Sequence, residues 1–389
     1  MKKYLQALFR IPFLGLGVIF LFISLSLFSQ SYGDSGWKLD SALLDSRFPA
    51  MAEWAKAGVE GGIPDSLETK IQMKITPKAN LQKAIDSVAK KGGVLLLLPG
   101  EYVISEPINL RSGVILRGAS KNSVLLTVKI HGYFWRTANQ KRTGAILLHG
   151  IENAGVENLT IKYTAANFEP NDRDSASAAW TIDVFHKPEM RDTTLFVEQV
   201  WIHQSRNCWV QNCNILWSGS DPIRITLSDH ITCRRNYIDR CYNKNDGGMG
   251  YYNISNSRHV LICNEKIKRI RHLAIQNFSK YNVVIDNELE VDINFHDGDS
   301  GLNLIQGNRV KIPTWHSWSP VANGVPNQHL PPGKGNILFQ NYFQSKTGEV
   351  VYSKPNTSYQ INYQWKEDIT DVYLENLTLK TLYPVKRKY

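Results

Sequence analysis

The stretch Arg271–Gly301, RHLAIQNFSKYNVVIDNELEVDINFHDGDSG, holds two short alternating strands, HLAIQ and DINFH, with a third apolar run, NVVIDNE, between them. Side chains alternate across a strand. In the first strand, Leu273 and Ile275 therefore share one face, and His272, Ala274 and Gln276 the other. In the second, Ile293 and Phe295 share a face opposite Asn294 and His296. A strand, turn, strand, turn unit that restarts after about twenty residues reads as a β-solenoid.

The repeat extends on both sides. An apolar run ending near an asparagine recurs at Asn158, Asn212, Asn236, Asn264, Asn287, Asn308 and Asn341, with a last copy at Asn376. From Asn212 onward the spacings are 24, 28, 23, 21 and 33 residues. Asparagine tolerates the left-handed backbone of a sharp turn, and stacked copies can hydrogen-bond along a solenoid. In each coil the run ending at the asparagine predicts one sheet and the apolar pair after it a second. The strand after the next loop forms the third: 223–227, 251–255, 272–276 and 293–297.

Upstream, Asn80 can cap a helix whose apolar positions Leu81, Ala84, Ile85, Val88 and Ala89 share one face, stopped by Gly92 and Gly93. The segment NLQKAIDSVAKKGGVLLLLPGEYVISEPINLRSGVILRGAS, from Asn80, resembles the opening of the pectate-lyase-like, right-handed parallel β-helix superfamily. The resemblance implies an all-β, single right-handed parallel β-helix with an N-terminal capping helix. It names no activity, because lyases, hydrolases, esterases and tail-spike proteins share that fold. It does imply a cleft on one sheet, walled by loops. The region 203–308 also looks like secreted bacterial β-helix proteins found near polysaccharide-degrading enzymes.

Residues 1–30 read as a secretory signal peptide: Lys2, Lys3 and Arg10 precede an uncharged apolar stretch from Ile11 to Phe28. The same stretch is long enough to be retained as an anchor. Residues 31–79 form an N-terminal extension, and 80–389 the β-helix with a C-terminal cap. The expected location is secreted or periplasmic, as a monomer without stable membrane insertion once the signal is removed. Lys and Arg outnumber Asp and Glu by 45 to 35, a formal charge of +10. That balance favours polyanionic partners. Nothing specific points to nucleic acid, and Rossmann and P-loop patterns are absent. The five cysteines, at 208, 213, 233, 241 and 263, show no CxxC spacing, so they read as buried thiols rather than a zinc site.

On the third strand of successive coils, alternation predicts an outward ladder: Arg224 and Thr226, Tyr251 and Asn253, His272 and Gln276, then Asn294 and His296. Clustered ionisable groups of this kind mark candidate sites. His272, His296, Arg224, Tyr251 and Arg271 are the expected catalytic set, and His203 is a further candidate for the same column. Asn253, Gln276, Asn294, Trp315, His316 and Trp318 are expected to contact substrate, the last three from the long insertion at 314–335. Asp297 and Asp299 are candidate calcium ligands, with Asp292 pointing away from that pair; calcium is the one cofactor expected.

Three function classes follow. A lyase acting on an acidic, uronate-containing or sulfated polysaccharide would need a cation for the carboxylate, a base and an acid. A glycoside hydrolase would need two carboxylates, from Asp297, Asp299, Asp221 or Asp246. A carbohydrate-binding solenoid would need neither. The basic charge and the scarcity of paired carboxylates on the ladder favour the lyase.

Overall fold

A computed structural model of the chain describes residues 32–133, 142–166, 194–243, 249–316, 318–324, 327–361 and 371–387. The expected signal peptide and Asp246 lie outside the described residues. Three sheets of twelve, ten and eight strands run the length of the molecule. Within each sheet the neighbours come from successive coils, and nearly all pairings are parallel. The chain is thus a parallel β-helix, as the resemblance implied. At the C-terminal end the pairing turns antiparallel, where Ser358–Gln360 joins Ile337–Phe339 on one side and Asp371–Leu374 on the other.

Winding puts one apolar residue of every alternating pair into a continuous interior. Ile223, Ile225, Tyr252, Ile254, Leu273, Ile275, Ile293 and Phe295 all lie in it, each 1 % exposed or less. Cys208, Cys213, Cys233 and Cys241 are buried in the same core, and Cys263 lies in a second apolar cluster on the outside of the twelve-stranded sheet. All five cysteines are free thiols. Burial pushes the Cys208 and Cys213 thiols up to about 12, so they are unreactive packing residues.

The helix forms at Leu81–Ala89, with the Asn80 side chain accepting a hydrogen bond from the Lys83 amide (2.9 Å). Its Leu81, Ala84, Ile85 and Val88 face the core. The strand Ile71–Ile75, read from the sequence as part of the extension, instead pairs with Gly93–Leu97 as the first strand of the twelve-stranded sheet. The remainder of the extension lies along the outside of that sheet. Trp54 Nε1 donates to the Leu302 carbonyl (2.7 Å), and Tyr383 from the C-terminus donates to Ala57 (3.1 Å).

The expected single asparagine column resolves into two adjacent ones. Asn158, Asn212 and Asn264 occupy left-handed positions at the corner, shared in other coils by Arg235, Asp286 and Gln340. Asn236, Asn287, Asn308 and Asn341 sit one residue further on and point inward. Asn287 donates to Asn308 Oδ1 (2.8 Å), and Asn308 to Asn341 Oδ1 (3.0 Å). Glu265 continues this buried column, accepting from Asn236 Nδ2 (2.7 Å) and donating its amide to Asn287 (2.8 Å). Burial raises its carboxyl to about 8, so it sits protonated in the place of an amide.

Candidate active site

The candidate site lies on the eight-stranded sheet. Strand register places Tyr251 beside His272, and Arg224 beside Asn253, which is followed by Ala274 and Asn294. Thr226, Ser255 and Gln276 form the next column. His296 comes just after its strand, its amide bonded to the Ile275 carbonyl (3.1 Å). The ladder read from alternation is therefore assembled, and Arg271 stands immediately before it.

The 314–335 insertion adds its strand Val321–Asn323 to the sheet beside Ile293–Phe295, and Trp318 and His329 on either side of that strand pack on the ladder. Trp318 meets the His272 ring edge-on at 4.4 Å, and His329 meets His296 in the same way at 4.4 Å. Gly324 permits the approach, since a Cβ there would stand 2.0 Å from the His296 carbonyl oxygen. Tyr251 and His272 are each 1 % exposed and His296 9 %, while Trp318 and His329 are half-buried.

Two hydrogen-bonded units emerge. In the first, the Tyr251 hydroxyl lies 2.9 Å from His296 Nε2. The Arg271 guanidinium sits 5.5 Å from the Tyr251 ring centre and 5.4 Å from that of Trp318. In the second, His272 Nδ1 contacts both oxygens of Asp292 (2.8 and 2.9 Å). Asn294 Nδ2 donates to Asp292 Oδ2 (2.9 Å), and His316 Nε2 lies 3.3 Å from Asp292 Oδ1. Asp292 thereby fixes the His272 ring and leaves Nε2 as its available nitrogen.

Burial dominates the proton affinities. It lowers His272 to about 4 against the pull of Asp292, and it lowers His296 well below the usual imidazole value, with His272 and His329 adding to the effect. Both imidazoles are neutral at pH 7. Burial likewise raises Tyr251, which keeps its proton although Arg271 opposes the shift. Burial would also raise Asp292, but its imidazole partners outweigh that and hold its carboxyl far below the ordinary range.

A second group of charges lies beneath Arg224. Asp221 accepts from Arg224 Nη1 (2.9 Å), the Tyr251 amide (2.9 Å) and Asn253 Nδ2 (3.3 Å), and its own amide donates to Glu198 (2.9 Å). Arg142 pairs with Glu198. This buried set ties Tyr251 to the preceding coil. Burial raises Glu198 to about 7, with the guanidiniums of Arg142 and Arg224 opposing.

The chain has no match among protein-family models, and no curated protein matches it. Similar solved structures include the mannuronan C-5 epimerase A-module of Azotobacter vinelandii, at 17 % identity over 70 % of this chain and 78 % of that one, with a TM-score of 0.41. Another is the polygalacturonase of Erwinia carotovora ssp. carotovora, at 15 % identity over 66 % and 75 %, with a TM-score of 0.42. A third is the exopolygalacturonase of Thermotoga maritima, at 14 % identity over 77 % and 84 %, with a TM-score of 0.40.

The sequence-derived residues fall into distinct places. His272, His296, Tyr251, Arg271 and Trp318 converge, whereas Gln276 stands in the next column and donates to Asn253 Oδ1 (3.0 Å). Asn253, Asn294, Trp315 and His316, expected to face substrate, are at most 7 % exposed, as are Tyr251, His272 and Arg271. The expected calcium pair does not form an open site. Asp299 is filled by the amides of Gly301 (2.7 Å) and Gly333 (3.0 Å) and by Asn303 and Asn336, and Asp297 holds the Leu330 amide (2.7 Å).

Among the described residues one group has metal-like spacing, Asp229, His230 and His259, on a different sheet under the N-terminal extension. Arg206 and Arg258 already bond the second Asp229 oxygen (3.0 and 3.2 Å), and Glu53 of the extension meets His259 (3.1 Å). The guanidiniums disfavour a second cation, so the group acts as a clamp on the extension.

Glu198, Arg142 and His329 are missed from the sequence; Asp221 is read there only as a hydrolase carboxylate, and Asp292 only as pointing away from Asp297 and Asp299. Asp292 was within reach, because it lies two residues before Asn294 and so shares its face. His329 carried a signal only as a histidine in a long insertion.

Proposed function

We propose that the protein is a secreted or periplasmic enzyme that cleaves a uronate-containing polysaccharide by β-elimination. The Tyr251–His296 pair carries this reading: a neutral imidazole and a protonated phenol 2.9 Å apart, beside a guanidinium. The two carboxylates nearest the ladder, Asp221 and Asp292, are fully buried and held by several donors each, so neither is placed as the free acid or base of a hydrolase.

In this mechanism Arg271, with Arg224 on the neighbouring side, neutralises the uronate carboxylate and so acidifies the proton at C5. His296 takes that proton, the C5–H electrons form the C4–C5 double bond, and the C4–O4 bond breaks. Tyr251 gives its proton to the departing oxygen. The proton on His296 then returns to the Tyr251 oxygen, which restores both groups. His272, held by Asp292, orients the ring from the adjoining strand. Product masses test the reaction: the new non-reducing end should be one water lighter than a hydrolysis product, and equal masses would exclude elimination.

Because His296 must be neutral to act as the base, and burial keeps it so, the acid limb of kcat/KM should fall well below pH 6.5. Rates measured from pH 4 to 8 check this, and a limb centred at 6.5 or above would contradict it. With guanidiniums supplying the positive charge, chelation by EDTA is expected to change the rate by less than about twofold. A collapse reversed by calcium would place a bound cation in that role instead.

A further inference from the structure

The ladder does not stop at Arg224. The next strand of the sheet, Val197–His203, puts Trp201 in register with Arg224 and His203 in register with Thr226. One strand further, His149 lies beside His203. These three rings form a compact group: His149 meets Trp201 edge-on at 4.6 Å, and His203 lies 5.4 Å from His149 and 5.6 Å from Trp201. Thr226 fixes two of them. Trp201 Nε1 donates to its hydroxyl (3.0 Å), and His203 Nδ1 contacts the same oxygen (2.7 Å).

This group is not part of the apolar interior, which the alternate residues Val200 and Ile202 fill. All three rings are half-buried, and the Tyr251–His296 pair does not involve them. Burial lowers His149 to about 4 and also lowers His203, so both are neutral hydrogen-bonding groups at pH 7. Among the described residues His149 Nε2 has no hydrogen-bond partner. An indole anchored by its own N–H, flanked by neutral imidazoles, offers an apolar face for a pyranose ring and edge groups for its hydroxyls. At about 4.8 Å per strand, Trp201 stands about 10 Å from Tyr251 along the sheet, a distance of two or so sugar rings.

We infer that His149, Trp201 and His203 form a remote sugar-binding subsite, so that a uronate chain cleaved at Tyr251 and His296 runs along the solenoid axis and rests a ring on Trp201. This rests on the proposed action on uronate polymers and adds a direction and a minimum length to it. The test compares kcat/KM for a uronate trisaccharide and a hexasaccharide in the wild type, Trp201→Ala and Trp201→Phe, with the fold checked by circular dichroism. In the wild type the hexasaccharide should be preferred. In Trp201→Ala that preference should fall about tenfold, and Trp201→Phe, which keeps a ring, should retain most of it. If wild-type turnover is present and the preference survives in Trp201→Ala, the subsite is overturned and the reaction stands. If the wild type neither cleaves nor binds by calorimetry any uronate oligosaccharide, the subsite and the proposed reaction fall together.

Discussion

Replacing His296 with alanine is expected to lower turnover by about a thousandfold, the scale of losing a positioned general base. The fold should survive. His296 is a ladder residue rather than part of the apolar interior, and its Nδ1 makes no hydrogen bond among the described residues. Tyr251→Phe should lose activity to a similar degree, since it removes the proton for the leaving oxygen while keeping the ring against His272. Initial rates on a cleaved polymer, with melting curves alongside, check both. A His296→Ala protein that folds and retains more than about a tenth of wild-type turnover would remove His296 from the role of base.

The second large effect is on stability. Asp292→Ala is expected to cost about 3 kcal/mol, because it strands two donors in a fully buried pocket, His272 Nδ1 and Asn294 Nδ2, while His316 Nε2 keeps its contact with the Arg271 carbonyl (3.1 Å). It should also loosen the start of the 314–335 insertion, where Trp318 packs on His272 and His316, while the strand Val321–Asn323 and the Asp297 and Asp299 bonds hold the rest. Urea unfolding would show a lowered midpoint, and limited proteolysis an earlier cut between residues 314 and 335. A loss below about 1 kcal/mol would mean that Asp292 is not the anchor the geometry makes it.

The parts legible in the sequence are those governed by short-range periodicity. Alternation within HLAIQ and INFH fixes which side chains face the core, and parallel stacking then brings His272, Tyr251 and His296 together whatever the loops do. The asparagine repeat disclosed the coil length but merged two columns, because Asn212 and Asn236 stand one register position apart. A left-handed corner and an inward amide ladder both select asparagine, for different reasons. The path of the 314–335 insertion was not legible. Trp315, His316 and Trp318 were expected to meet substrate; His316 instead lies buried against Asp292 with Trp315 packed on it, and Trp318 and His329 lie on the ladder histidines. The link of Arg142 and Glu198 to the Asp221–Arg224 pair was hidden because these two come from separate coils and no local pattern joins them to it.

The central claim is elimination, and ultraviolet absorbance during incubation with a panel of uronate-containing polysaccharides, read beside a reducing-end assay, tests it most directly. The account predicts that both signals rise together on at least one polymer, and that absorbance is lost in His296→Ala. New reducing ends without absorbance would contradict it and make the protein a hydrolase.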